Sequence, residues 1–228
     1  MVRTRCASRA LLDLGTISKN MAFIDKLKST IQAAPKYTVT QSVKLPIYEL
    51  DLKNIIDPDT IKEKCLDEFN KSGNKNNRSD LVKDGWQSPY YIRGNNDDKF
   101  EVFTELITAV EDKLNSTNAL TNSKTRVEVN KFWFVIYYKG TIHRWHNHLP
   151  KTRLDGFSNF SGIYYPVASD NAEPIEFENG DETLSISVTQ HKLLLFPSML
   201  YHRVPECNDT DLRISVAFNF KSLSKFSN

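Results

Sequence analysis

Three of the chain's five histidines could act together: His146 and His148 in "HRWHNHLP", and His202 in "FPSMLYHRV". Residues two apart on a β-strand point to the same face. An H-x-H pair on a strand therefore presents two imidazoles side by side, and a later strand crossing the same barrel can bring a third. Neutral imidazole suits Fe, Zn, Cu and Ni, so the ligand types alone do not choose the metal. His143 lies three residues before His146 and is expected on the opposite face of the strand, outside the set.

The second chemical signal is "LRISVAFNF" at 212–220. Strand alternation puts Arg213, Ser215, Ala217 and Asn219 on one face, and Ile214, Val216, Phe218 and Phe220 on the other. The second set is an ordinary core layer. The first is small and polar around one guanidinium, which inside a barrel requires an anion, because an unpaired buried charge costs on the order of several kcal/mol. The planar fork of Arg213 fits a carboxylate in bidentate fashion, and the Ser215 hydroxyl can add to the same group. An internal ion pair to Asp155 or Glu206 is the competing use of that arginine. Together, the histidines and the arginine describe a metal centre with an anion site beside it.

The elements that must position these residues can be read from periodicity. "YTVTQSVKLPIYELDL" (37–52) alternates as a strand, and "GWQSPYYI" (85–92) is short and extended. "DPDTIKEKCLDEFNKS" (57–72) has a capping Asp or Thr ahead of helix formers. From Lys99 to about Leu114, the residues Phe100, Phe103, Leu106, Ile107, Val110 and Leu114 form one apolar helical stripe, which predicts a helix packed on a sheet. After Thr125 the pattern turns to β. Residues 126–140 are apolar on both faces around Phe132–Tyr138, as in a central strand covered on both sides. Short runs follow at 143–148, 160–167, 174–178, 183–189, 192–197, 200–204 and 212–220. Many short strands at that spacing predict a sandwich or jelly roll.

Composition sets limits on function. The chain has 228 residues, a net charge of only +2 and 25% charged residues. Its lysines are scattered among acids, so no basic stripe marks a nucleic-acid binder. No run approaches the roughly 18 apolar residues of a membrane helix. Cys6, Cys65 and Cys207 are far apart and form no C-x-x-C, which suits reduced thiols and an expected cytoplasmic location, or a host cytoplasm if the source is viral. Asn115-Ser116-Thr117 and Asn208-Asp209-Thr210 match the glycosylation pattern by chance in such a setting. Residues 1–20 hold Arg3, Arg5 and Arg9 and are expected to be a disordered extension ahead of a single domain at 21–228.

Five pieces in order, "KG" (139–140), "HNH" (146–148), "SGIYYP" (161–166), "LLLFPSMLYHRV" (193–204) and "RISVAFNF" (213–220), together with "GWQS" (85–88), resemble a family of 2OG-Fe(II) oxygenases. The type is found often in phage and marine bacterial genomes and lies near the prolyl hydroxylases. The resemblance spans most of residues 45–220. It implies an α+β, mainly β fold: a double-stranded β-helix of the jelly-roll or cupin-like kind over about 125–221, with N-terminal supporting helices over about 55–118. It implies Fe(II), 2-oxoglutarate as cosubstrate, and O2. His146 and His202 match the two metal-binding histidines. His148 stands where the wider superfamily has a carboxylate, and completes the ligand set of His146, His148 and His202. Arg213 matches the residue that binds the distal carboxylate of 2-oxoglutarate, with Ser215 assisting. Tyr165 matches a tyrosine that hydrogen-bonds the same carboxylate. The implied reaction is hydroxylation of a C–H bond in a small-molecule or peptide substrate, with peptidyl proline the nearest hint, and with release of succinate and CO2. A three-His cupin-type dioxygenase that needs no 2-oxoglutarate and a non-enzymatic β-barrel binding module are the rival readings. Oligomeric state is not legible.

Overall fold

The strand β5 (Thr125–Tyr137) is apolar at successive positions because both its faces are covered. Phe132, Phe134 and Ile136 enter one core, while Trp133, Val135 and Tyr137 enter another. The structure, a computed structural model, describes residues 45–73, 75–93, 101–116, 125–149 and 160–224. The expected extension at 1–20, the strand residues 37–44, Phe100, and the segment carrying Lys151, Arg153 and Asp155 lie outside the described residues.

Ahead of β5 come β1 (Tyr48–Asp51), α1 (Pro58–Lys71), β2 (Val82–Lys83), β3 (Trp86–Gln87), β4 (Tyr91–Ile92) and α2 (Thr104–Ser116). After it come β6 (Ile142–His146), β7 (Phe160–Val167), β8 (Ile175–Asn179), β9 (Glu182–Ile186), β10 (Lys192–Pro197), β11 (His202–Val204) and β12 (Arg213–Ser224). The larger sheet has the order β1-β10-β7-β12-β5-β3, with β4 also on β5, and the smaller has β2-β6-β11-β8-β9. Every pairing is antiparallel. From β5 onward the chain passes repeatedly from one sheet to the other, winding the two into a double-stranded β-helix.

Each layer has its own core. Between the sheets lie Val135, Tyr137, Ile163, Tyr165, Phe177, Leu194, Phe196, Val204 and Ala217. On the outer face of the larger sheet, Ile214, Val216, Phe218 and Phe220 of β12 pack with Leu106, Ile107, Val110 and Leu114 of α2 and Ile61 and Cys65 of α1. The apolar stripe expected on α2 thus packs on a sheet. The first helix begins where its cap predicts: the Asp57 side chain accepts from the backbone N–H groups of Asp59 and Thr60 at 3.3 and 3.2 Å, and Pro58 needs no donor at N1. The residues that face inward from β5, β6, β7, β11 and β12 line one cavity, at the open end of which the histidines collect.

Candidate active site

The inward face of β12 carries Arg213, Ser215, Ala217 and Asn219, all buried, as strand alternation requires. Opposite them on β5, Arg213 is in register with Tyr137 and Ser215 with Val135. In the smaller sheet, β6 and β11 bring two histidines face to face, with His202 directly opposite His146. His148 lies two residues beyond the end of β6, where its backbone N–H donates to the Ser198 carbonyl at 2.8 Å. The turn that carries Ser198 is itself held by Ser161, which bonds Ser198 Oγ at 2.8 Å and donates to Asn219 Oδ1 at 2.9 Å. That network ties β7, β12 and the turn before β11 together beneath His148.

His146, His148 and His202 converge. Their ring centroids are 4.2 Å (146–202), 4.8 Å (148–202) and 5.4 Å (146–148) apart. One ligand nitrogen from each lies within 4.8 Å of the others, so the group can hold a metal ion. Second contacts orient two of the rings. His146 Nδ1 lies 2.8 Å from the Arg144 carbonyl and His202 Nδ1 lies 3.1 Å from the Leu200 carbonyl. A carbonyl can only accept, so each Nδ1 carries the proton and each Nε2 is left as a free lone pair, the arrangement a metal needs. His148 Nδ1 is buried without a hydrogen-bond partner.

Protonation favours the same use. Burial pushes the imidazole of His146 down to about 4, and burial with mutual repulsion pushes His148 and His202 well below the ordinary histidine value. All three are therefore neutral ligands near pH 7.

His143 departs from expectation. It was placed on the opposite face, yet it is buried and lines the same cavity. Its ring stacks on His146 with centroids 4.2 Å apart and planes 14° from parallel. The reason is a β-bulge: His146 pairs with His202 but His143 with Val204, so Arg144 and Trp145 of β6 together oppose Arg203 alone on β11. One extra residue reverses the parity of the strand. Its Nδ1 lies 3.1 Å from the Tyr137 hydroxyl, which in turn accepts from Ser215 Oγ at 3.4 Å.

The cavity is narrow, about 20 Å³, and is lined by the histidines together with Tyr137, Tyr165 and Ser215. Arg213 stands next to two of these wall residues, its guanidinium carbon 4.8 Å from the Tyr137 ring and 5.1 Å from the Tyr165 ring. It donates from Nη1 to the Glu173 carbonyl at 2.7 Å, while its Nε and Nη2 are buried without partners. Neither Glu206 nor any other carboxylate among the described residues pairs with it. The Tyr165 hydroxyl is buried and likewise makes no hydrogen bond. Burial raises the Tyr165 and Tyr137 hydroxyls above the ordinary phenol range, so both keep their protons.

On the solvent side, the histidines open into a larger groove lined by Arg78, Tyr90, Trp133, Trp145, His146, His148 and Tyr201, among others. Lys131 Nζ lies 4.6 Å over the Tyr90 ring. Ser169, Ala172 and Glu173 line a small space together with Arg213.

Residues 178–219 match the family described as "Putative 2OG-Fe(II) oxygenase", a stretch that contains His202, Arg213 and Ser215. The chain has the fold of the 2OG-Fe(II) oxygenases. Among solved structures it is similar to a Pseudomonas putida prolyl-4-hydroxylase, at 14% identity and TM-score 0.55, over 78% of this chain and 92% of that one. A Trichoplax adhaerens prolyl hydroxylase in complex with a hypoxia inducible factor peptide fragment gives 14% identity and TM-score 0.55, over 92% and 93%. The viral collagen prolyl hydroxylase of Paramecium Bursaria Chlorella virus-1, a 2OG complex, gives 12% identity and TM-score 0.51, over 76% and 94%. No curated protein matches the chain in sequence. The family match says nothing of a phage or marine bacterial source. Among the described residues, no helix is long and apolar enough to cross a membrane.

Proposed function

We propose that the chain is an Fe(II)- and 2-oxoglutarate-dependent dioxygenase that hydroxylates a C–H bond of a small-molecule or peptide substrate. The observation that carries this reading is a histidine-lined cavity whose walls include Tyr137 and Tyr165, with the unsatisfied guanidinium of Arg213 packed against both of those rings. His146, His148 and His202 would hold the iron. Arg213 would hold the distal carboxylate of 2-oxoglutarate, with Ser215 and the protonated Tyr165 hydroxyl donating to it. The residues fit the groups: one nitrogen of each histidine lies within 4.8 Å of the others, and Arg213 Nε and Nη2 and the Tyr165 hydroxyl have no hydrogen-bond partner among the described residues. When bound, iron with 2-oxoglutarate and O2 supplies the oxidant for hydroxylation and releases succinate and CO2. The protein's own part is to orient the cosubstrate, to keep water from the inner cavity and to present the substrate at the mouth. Aromatic walls at that mouth, Tyr90, Trp133, Trp145 and Tyr201, suit a substrate with apolar bulk.

The ligand set also favours a second reading, a three-His dioxygenase that acts without cosubstrate. Anaerobic addition of 2-oxoglutarate to the Fe(II) protein separates the two. The first reading expects a new visible absorption band, and succinate release on admission of O2. A protein that binds Fe(II) yet shows neither would overturn it.

A further inference from the structure

The cavity contains one more donor than the proposed function uses. His143 is buried, lines the cavity and is fixed by two contacts: its ring lies flat on His146, and its Nδ1 meets the Tyr137 hydroxyl. Ser215 Oγ donates to the Tyr137 oxygen at 3.4 Å, which makes the phenolic proton available to His143 Nδ1, 3.1 Å away. A neutral imidazole has one N–H, so when Nδ1 accepts, the proton sits on Nε2. His143 Nε2 is buried and has no partner among the described residues.

With that tautomer His143 is a further unpartnered donor, beside the Tyr165 hydroxyl, in a cavity that no carboxylate among the described residues lines; Arg213, with Nε and Nη2 also unpartnered, packs against the Tyr165 ring. Buried donors without partners call for a ligand rich in acceptors. A lone pair at this position would suit a metal, but the tautomer set by Tyr137 turns the proton outward instead. We infer that His143 is a cosubstrate-binding residue: its Nε2–H hydrogen-bonds an oxygen of the 2-oxo diacid, and the Ser215–Tyr137 pair holds it in the tautomer that can do so. This rests on the 2-oxoglutarate reading above. It differs from the roles of His146, His148 and His202, whose free Nε2 or unpartnered nitrogen faces the metal.

The test is binding, not turnover. Wild-type protein loaded with Mn(II) is titrated with 2-oxoglutarate by calorimetry under argon. His143→Phe keeps the ring and loses both nitrogens. It is expected to weaken 2-oxoglutarate roughly tenfold, the value of a hydrogen bond to a charged acceptor, while Mn(II) affinity is unchanged. His143→Gln, which can return an N–H near the same place, is expected to recover most of the loss. Undiminished 2-oxoglutarate affinity in His143→Phe would overturn the inference. So would loss of Mn(II) binding in step with it, which would make His143 a metal ligand or a structural support. A measurement on the unaltered chain guards against a variant that does not fold. Nitrogen-15 NMR of the Zn(II)-loaded protein should show His143 as the Nε2–H tautomer, its proton moving downfield on addition of 2-oxoglutarate; the Nδ1–H tautomer would overturn the assignment. Failure of the wild-type protein to bind 2-oxoglutarate at all would instead sink the proposed function, so the two failures are distinguishable.

Discussion

An imidazole at position 148 changes the charge of the centre. Three neutral ligands would leave a divalent ion at +2, and Arg213 holds a further positive charge against the Tyr137 and Tyr165 walls. Among the described residues no carboxylate lines the cavity to offset them. The 2-oxoglutarate dianion would supply the missing charge, so metal and cosubstrate should bind as a coupled pair, each tightening the other by the same factor. We expect Mn(II) affinity to rise roughly tenfold or more when 2-oxoglutarate is present. His148→Asp should bind Mn(II) more tightly alone and show a smaller rise; calorimetry with and without cosubstrate reads both. Equal coupling in the two proteins would count against the argument. The guanidinium makes the complementary case. Its Nε and Nη2 are buried without partners, a cost that the faces of Tyr137 and Tyr165 offset only in part. Arg213→Met should lose 2-oxoglutarate binding by about a hundredfold or more. The metal-free variant should unfold at an equal or higher denaturant midpoint, as expected where buried charge is kept for function and not for stability. A variant that is clearly destabilised would mark Arg213 as structural.

At the scale of elements, the tight stack of β10, β7 and β12 sets the distance between the Tyr165 and Arg213 walls. Gly162 of β7 sits between its neighbours so closely that a Cβ there would lie 3.0 Å from Leu195 Cδ2 and 3.0 Å from Phe220 Cε2. Gly162→Ala should therefore cost ~1–3 kcal/mol by overpacking, read as a lower midpoint in urea at unchanged slope. Strand alternation made β12 legible from the sequence, because which of Arg213 and Ile214 faces inward depends only on local parity. The helices were legible for a similar reason: the Asp57 cap and the i, i+3, i+4 spacing of Leu106, Val110 and Leu114 are local signals. β6 was not legible. Its bulge opposite β11 depends on register with a partner more than fifty residues away, and that one inserted residue carried His143 from the expected outer face into the cavity.

For the whole molecule, three buried neutral histidines and the half-buried His146 make stability depend on pH. In the unfolded chain each titrates near 6.5. In the folded protein His143, His148 and His202 lie well below that value, and His146 falls to about 4. Because the folded values are depressed, the unfolded state takes up protons first. These groups cost nothing above about pH 7.5 and withdraw stability as pH falls below about 6.5. Urea midpoints of the metal-free protein should thus hold from pH 8.5 to 7.5 and drop between pH 6.5 and 5. A flat profile across the lower range would mean that the imidazoles are not buried neutral. The sequence by itself determined the β-rich architecture, the pairing of His146 with His148, and the isolation of Arg213 on a polar face. These follow from periodicities that a single strand or helix carries along its own length. Only the tertiary structure decided that His143 joins the other histidines, that Tyr137 orients it, and that Tyr90, Trp145 and Tyr201 wall the mouth. Those facts depend on strand register and on segments brought together from distant parts of the chain, and no local pattern encodes either.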